Sequence, residues 1–253
     1  MDKMIKQKLI EVQQKHGINI LFACESGSRA WGFASHDSDY DVRFIYHYPK
    51  SAYLGIAEPK DQLTFPIDEQ DIDLVGWDLK KYLQLVKKSN STVFEWLQSP
   101  IVYQEYNQFA SRLLAVCPEY FNPKVNIHHY LGIAHTALKT MTDQQIPIKK
   151  LFYVLRPLLA AKWCMQYGQI APMTINALLP LLPESLQSTI EQLIVDKQSL
   201  CEKHLITLTD ELRQFINQTV LSCRQFNDTL PAQPMVTDQA LNDFFIAELD
   251  YDN

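Results

Sequence analysis

The stretch Glu25-Ser-Gly-Ser-Arg-Ala-Trp-Gly-Phe-Ala-Ser-His-Asp-Ser-Asp-Tyr-Asp-Val-Arg43 constrains this chain more than any other. An apolar run, Ile18 to Cys24, leads into it, and a second run, Val42 to Tyr46, leads out. The order reads as a buried strand, a Gly-Ser turn, a short helix over 29–33 and a second strand over 40–48. Side chains alternate across a strand, so Asp39, Asp41 and Arg43 share one face. A hairpin with an acidic, solvated turn would also contain an Asp-x-Asp pair. A Gly-Ser turn and a carboxylate pair at this spacing, flanked on both sides by apolar runs, is far more specific than either part alone.

The 253 residues allow one large or two medium domains. Only seven glycines favour helices over a turn-rich β protein. A net charge of −6 argues against non-specific binding to long nucleic acid, while leaving room for a local basic site. The odd set of five scattered cysteines has no C-x-x-C spacing, so disulfides and structural zinc are not expected. Most of them read as small core residues. No apolar stretch reaches membrane-spanning length, and the polar amphipathic start is unlike a leader; a cytoplasmic protein is expected.

Strand and helix patterns mix up to about residue 120. Helices are expected at 3–16, 79–88, 92–97 and 109–117, and strands at 62–66 and 72–76, with a short edge strand at 101–103. Asp78 and Asn90 are the expected N-caps of the two middle helices. Beyond 120, long helical windows dominate: 124–140, 148–167, 186–197 and 209–227. The fold class is therefore α+β, with an α/β domain over 1–120 and a helical domain over 121–253. The tail, 238–253, is amphipathic and acidic.

The Gly-Ser/Asp-x-Asp block resembles the signature of the DNA polymerase β nucleotidyltransferase superfamily. The resemblance implies a polymerase β-like palm, a mixed sheet with flanking helices, and nucleotidyl transfer from an NTP with Mg2+ or Mn2+. That chemistry rests on positioning and charge neutralisation. Carboxylates on one strand face hold divalent ions, and the turn's backbone N–H groups and the Ser28 hydroxyl suit a triphosphate. Asp39 and Asp41 are then metal ligands. A third carboxylate is expected on a neighbouring strand. Asp73, deeper in apolar flanks than Asp71, is chosen as ligand and general base, though Asp71 shares its face. Gly27, Ser28, Arg29 and Arg43 are candidates for the nucleotide. So is the basic and aromatic stripe of the 148–167 helix: Lys149, Lys150, Tyr153 and Arg156. Plain ion pairs and snorkelling cations are the competing readings for the cations. The histidines carry no metal-site signal.

Further stretches narrow the branch. Gly27 to Gly32, Ser38 to Arg43, Asp73 to Tyr82, Ser89-Asn90, Glu95 to Pro100, Tyr103 and Lys149 to Trp163 resemble bacterial and phage nucleotidyltransferases encoded beside RNA ligases, the RlaP-like branch. Phe44 is a departure, standing where a small residue is expected. The resemblance implies an RNA end, such as a tRNA 3′ end, as favoured acceptor. Two alternatives remain: transfer to a protein or small molecule, as in antitoxin-linked or drug-modifying relatives, and an inactive nucleotide-binding module. The negative charge leans slightly toward the protein or small-molecule acceptor; the presence of all three carboxylates weighs against the inactive module. Oligomeric state and preferred base are not readable.

Overall fold

The computed structural model describes residues 1–141, 144–232 and 236–250; the last three residues of the acidic tail lie outside them. The first half runs α1 (Asp2–His16), β1 (Asn19–Glu25), α2 (Gly27–Trp31), β2 (Tyr40–His47), α3 (Lys50–Tyr53), β3 (Gln62–Thr64) and β4 (Ile72–Asp78). Then come α4 (Leu79–Lys87), α5 (Ser91–Trp96), β5 (Val102–Glu105), α6 (Phe109–Tyr120) and α7 (Pro123–Leu138). The remainder is β6 (Gln145–Pro147), α8 (Ile148–Tyr167), α9 (Ile175–Leu178), α10 (Glu184–Ser199), β7 (Leu205–Thr207), α11 (Asp210–Thr229) and α12 (Gln239–Asp250).

The described residues fall into two compact units. The first comprises 1–27, 39–120 and 236–250; the second comprises 28–38, 121–141 and 144–232. The change of pattern near residue 120 coincides with the end of α6. Two segments nevertheless keep their contacts on the other side of it: 28–38 belongs to the helical unit and α12 to the sheet unit.

In the first unit the sheet order is β3-β4-β2-β1-β5. The β2–β4 pair is parallel and the other pairs are antiparallel, which makes a mixed sheet. β1 is buried along its length after Asn19, as its apolar composition requires. α1 buries Ile5, Leu9 and Val12, one stripe of its surface, into the same core as Ile20, Val42 and Leu74. It ends at Gly17 in the left-handed conformation, where glycine meets no steric cost. Asp78 and Asn90 cap α4 and α5 by accepting from the N–H groups of Lys80 and Thr92 at 2.9 Å. α6 passes through Pro118 to Tyr120, beyond the stop expected at the proline. A proline in the last turn costs little, because few intrahelical bonds remain to lose.

The acidic tail has a defined seat. Arg112 makes a two-pronged contact with Glu248, a carboxylate only 1% exposed. Lys87 pairs with Asp238 at 2.7 Å, and Phe244 and Phe245 pack on Phe109 and Tyr53.

Phe44 is accommodated across the sheet. Its register partner on β4 is Gly76, and a Cβ built there would lie 2.2 Å from the Phe44 ring. The small residue needed at this level is thus on the neighbouring strand. Gly76→Ala is expected to lower stability by about 1–3 kcal/mol through overpacking, seen as a thermal midpoint several degrees lower. Adding Phe44→Leu should recover part of the loss; unchanged melting of the single variant would contradict the packing argument.

The second unit is built on α7, α8 and α11 around a core that includes Leu155, Leu158, Leu159, Ile190, Ile216 and Phe33. A two-stranded ribbon, β6–β7, interrupts the helices. Its strands have three residues each, too short for alternation to register in the sequence. No described helix is long and apolar enough to cross a membrane. Cys24, Cys117, Cys164 and Cys223 are buried and Cys201 is exposed; all are free thiols.

Candidate active site

The parallel pairing of β2 with β4 sets Asp41 opposite Asp73. Arg43, two residues on and therefore on the same face, lies between them. Its Nη2 donates to Asp41 Oδ1 at 2.8 Å and to Asp73 Oδ2 at 2.7 Å, while Nη1 donates to the Asp73 carbonyl at 2.8 Å. Two carboxylates side by side repel each other unless a cation balances them; here the guanidinium supplies the charge. These side chains are 16–27% exposed, so the face is open to solvent yet partly desolvated.

The Gly-Ser turn meets Asp41 directly. Gly27 has φ +59°, and a Cβ at that position would lie 1.9 Å from Asp41 Oδ2. Glycine takes this backbone without strain, and its missing side chain leaves room for the carboxylate. Ser26 N–H donates to the Asp41 carbonyl at 2.8 Å, tying the turn to β2 from the other side.

Beneath lies Glu25, which is fully buried. Its Oε1 accepts the Asp41 N–H at 2.7 Å, its Oε2 accepts the Tyr103 hydroxyl, and its carbonyl accepts Ser99 Oγ–H at 2.6 Å. A buried carboxylate persists only when donors surround it. This one grips the backbone of Asp41 and fixes the end of β2. The sequence reading ended this strand at Cys24 and gave Glu25 no role, whereas β1 runs to Glu25; the signal was a carboxylate directly after an apolar run, two residues before Gly27. Cys24 is buried beside it, and desolvation reinforced by the Glu25 charge pushes the Cys24 thiol well above its usual range. It is a protonated core residue, not a nucleophile.

Asp39 stands one residue before β2 and is exposed. Asp71 lies just before β4 with φ +56°, its carbonyl accepting the Tyr40 N–H at 2.8 Å. Asp73, inside the strand, is the carboxylate that meets Asp41. Among the described residues, no group of three or more His, Cys, Asp or Glu side chains could hold a metal ion. Asp41 and Asp73 present carboxylate oxygens, the donor type a hard cation takes, gathered around the Arg43 guanidinium.

The other sequence candidates lie in the second unit. Ser28 is buried, and Arg29 Nη2 donates to the Ser38 carbonyl at 2.5 Å, closing the 28–38 segment on itself. Lys149 pairs with Glu202 at 2.5 Å, and Lys150 donates to the Thr140 carbonyl at 3.0 Å. Tyr153 meets Trp31 edge-on. Arg156 is 2% exposed and donates from Nε and Nη2 to the Met173 carbonyl, with its guanidinium 4.8 Å over the Trp31 ring. Tyr153 and Arg156 therefore both bear on the indole of α2. The sequence reading has both as nucleotide-binding candidates; in the structure both pack on Trp31 of the helix that carries the Gly-Ser turn.

A family model described as "RlaP: RNA repair pathway DNA polymerase beta family" matches residues 1–247. The uncharacterized protein YcgL of Bacillus subtilis (strain 168) is 41% identical over 224 residues, covering 85% of each chain. Among solved structures, the chain is similar to the spectinomycin adenyltransferase AAD(9) of Enterococcus faecialis, at 13% identity, 88% of this chain, 98% of that one and a TM-score of 0.41. It is also similar to a nucleotidyltransferase-like protein from Exiguobacterium sibiricum 255-15, at 10% identity, 89% and 75% coverage and a TM-score of 0.31. The match over residues 1–247 places the chain in the RlaP family, and it is a nucleotidyltransferase of the DNA polymerase β type.

Proposed function

We propose that this protein transfers a nucleotide from an NTP to the 3′ hydroxyl of an RNA, in a reaction that depends on Mg2+ or Mn2+. One observation carries the reading: Asp41 and Asp73 stand side by side on parallel strands, sharing one guanidinium, with Asp41 packed on the bare backbone of Gly27. The RNA acceptor is supported by the family's description as a repair-pathway branch. Five free thiols are in keeping with a reducing, cytoplasmic setting.

In this reading Asp41 and Asp73 would hold the divalent ion, with Asp39, one residue before the strand, proposed as the further ligand; the ion would supply charge neutralisation to the phosphates. The acceptor oxygen attacks the α-phosphorus, the α,β-bridging P–O bond breaks, and pyrophosphate leaves with its electron pair. Asp73 accepts the hydroxyl proton. Gly27 and Ser28 offer backbone N–H groups and a hydroxyl to the triphosphate. Arg29, Arg43, Lys149 and Lys150 offer positive charge, and Tyr153 and Arg156 hold α2 in place.

Titration of an NTP into the protein tests the binding half. Affinity should require Mg2+ or Mn2+, and Ser28→Ala should weaken it by about 1.5–3 kcal/mol, the worth of one charge-assisted hydrogen bond. Equal NTP affinity in the presence of chelator would contradict the reading.

A further inference from the structure

We infer that Arg43 is a built-in competitor for the divalent ion. Its guanidinium holds the two carboxylate oxygens that an ion would take, and it turns to a phosphate of the NTP when the ion displaces it. The inference rests on reading Asp41 and Asp73 as metal ligands.

Asp41 Oδ1 and Asp73 Oδ2 converge on a single nitrogen, Arg43 Nη2, at 2.8 and 2.7 Å. A divalent ion binds carboxylate oxygens at about 2.0–2.6 Å, so an ion bridging these two oxygens takes the place of that nitrogen. The other Asp41 oxygen is less open: Oδ2 lies against Gly27, where a Cβ would come within 1.9 Å of it. Two cations on one pair of oxygens also repel each other. Ion and guanidinium are therefore alternatives at this place.

The guanidinium is placed to turn without leaving. Its Nη1 donates to the Val42 and Asp73 carbonyls at 3.1 and 2.8 Å, and these backbone acceptors remain when the carboxylates turn to an ion. The side chain is 16% exposed, so it has an open side toward solvent. A displaced guanidinium needs an anion, and a triphosphate supplies one: arginine pairs with phosphate as it does with carboxylate, through its planar fork. Ion and triphosphate thus each ease the binding of the other. With no phosphate to receive it, the guanidinium holds the carboxylates against the ion.

Full-length Arg43→Gln, Asp41→Asn and Asp73→Asn test this beside the parent, by two measurements. The first is Mn2+ binding without nucleotide, followed by electron paramagnetic resonance, with melting temperatures taken with and without Mn2+. Arg43→Gln removes the competitor and should tighten Mn2+ binding about tenfold or more. Its melting temperature should then rise more on adding Mn2+ than the parent's does. A guanidinium that clamps the ligands together predicts the opposite sign: folded Arg43→Gln would bind Mn2+ no better than the parent. The second measurement uses the parent alone, so it stands even where the variant does not fold. Mn2+ should speed modification of Arg43 by phenylglyoxal, read by mass spectrometry, and a non-hydrolysable NTP analogue added with Mn2+ should slow it again. Mn2+ affinity that does not tighten in Arg43→Gln, or a modification rate that Mn2+ leaves unchanged or slows, overturns the inference. The carboxylate pair stands as the metal site all the same if Asp41→Asn and Asp73→Asn lose Mn2+. Parent-like Mn2+ binding by either of them removes that reading, and the inference with it.

Discussion

Asp41→Asn and Asp73→Asn are each expected to cut nucleotidyl transfer at least about 10³-fold, since charge stabilisation by a bound divalent ion is worth several kcal/mol. Both residues are part-exposed and share Arg43. Removing one carboxylate therefore leaves the guanidinium paired with the other and relieves repulsion between the two. Partly exposed pairs of this kind contribute little, about 1 kcal/mol or less, so thermal midpoints should move by only a few degrees. Circular dichroism melts beside steady-state assays check both halves. Loss of folding in step with loss of activity would mark the pair as structural.

Gly27→Ala should be nearly as damaging, by a different route. The new Cβ would start 1.9 Å from Asp41 Oδ2, at a backbone φ of +59° that alanine adopts only with strain. The carboxylate must swing aside, and a misplacement of about 1 Å at a reacting centre costs on the order of 10²-fold. Stability should fall too, by about 1–3 kcal/mol. Ser26→Ala keeps the backbone N–H to the Asp41 carbonyl and serves as the mild neighbour. Near-parent turnover by Gly27→Ala would show that the contact with Asp41 does not set the site.

The part of the site that was legible is the part written locally. Strand alternation put Asp39, Asp41 and Arg43 on one face; Asp41 and Arg43 pair on β2, while Asp39 falls one residue before it, and Asp73, favoured over Asp71 for its apolar flanks, is the residue opposite Asp41. Asp78 and Asn90 were readable as caps for the same reason. What escaped is long-range or very short. The contacts of Ser35 and Ser38 with Lys197 and Glu202 join residues 162 and 164 apart, and no spacing rule connects them. The three-residue strands β6 and β7 hold too few side chains to show a period. The acidic tail looked like an extension of the helical part, yet the pairs Arg112–Glu248 and Lys87–Asp238, with Phe244 and Phe245 packed on Phe109 and Tyr53, seat it on the sheet unit. Arg156 was visible as a cation in an apolar helix. Its partners, the Met173 carbonyl and the Trp31 ring, could not be named from its own surroundings.

The central claim is transfer of a nucleotide to RNA. The direct measurement is incubation of the protein with Mg2+, total cellular RNA and protein, and NTPs labelled either at the α- or at the γ-phosphate. The account predicts label from the α-position alone, in material destroyed by ribonuclease and untouched by protease. Prior periodate oxidation of RNA 3′ ends should block it, and Asp41→Asn and Asp73→Asn should abolish it. Label in the protease-sensitive fraction, transfer from the γ-position, or equal labelling by the two variants would contradict it.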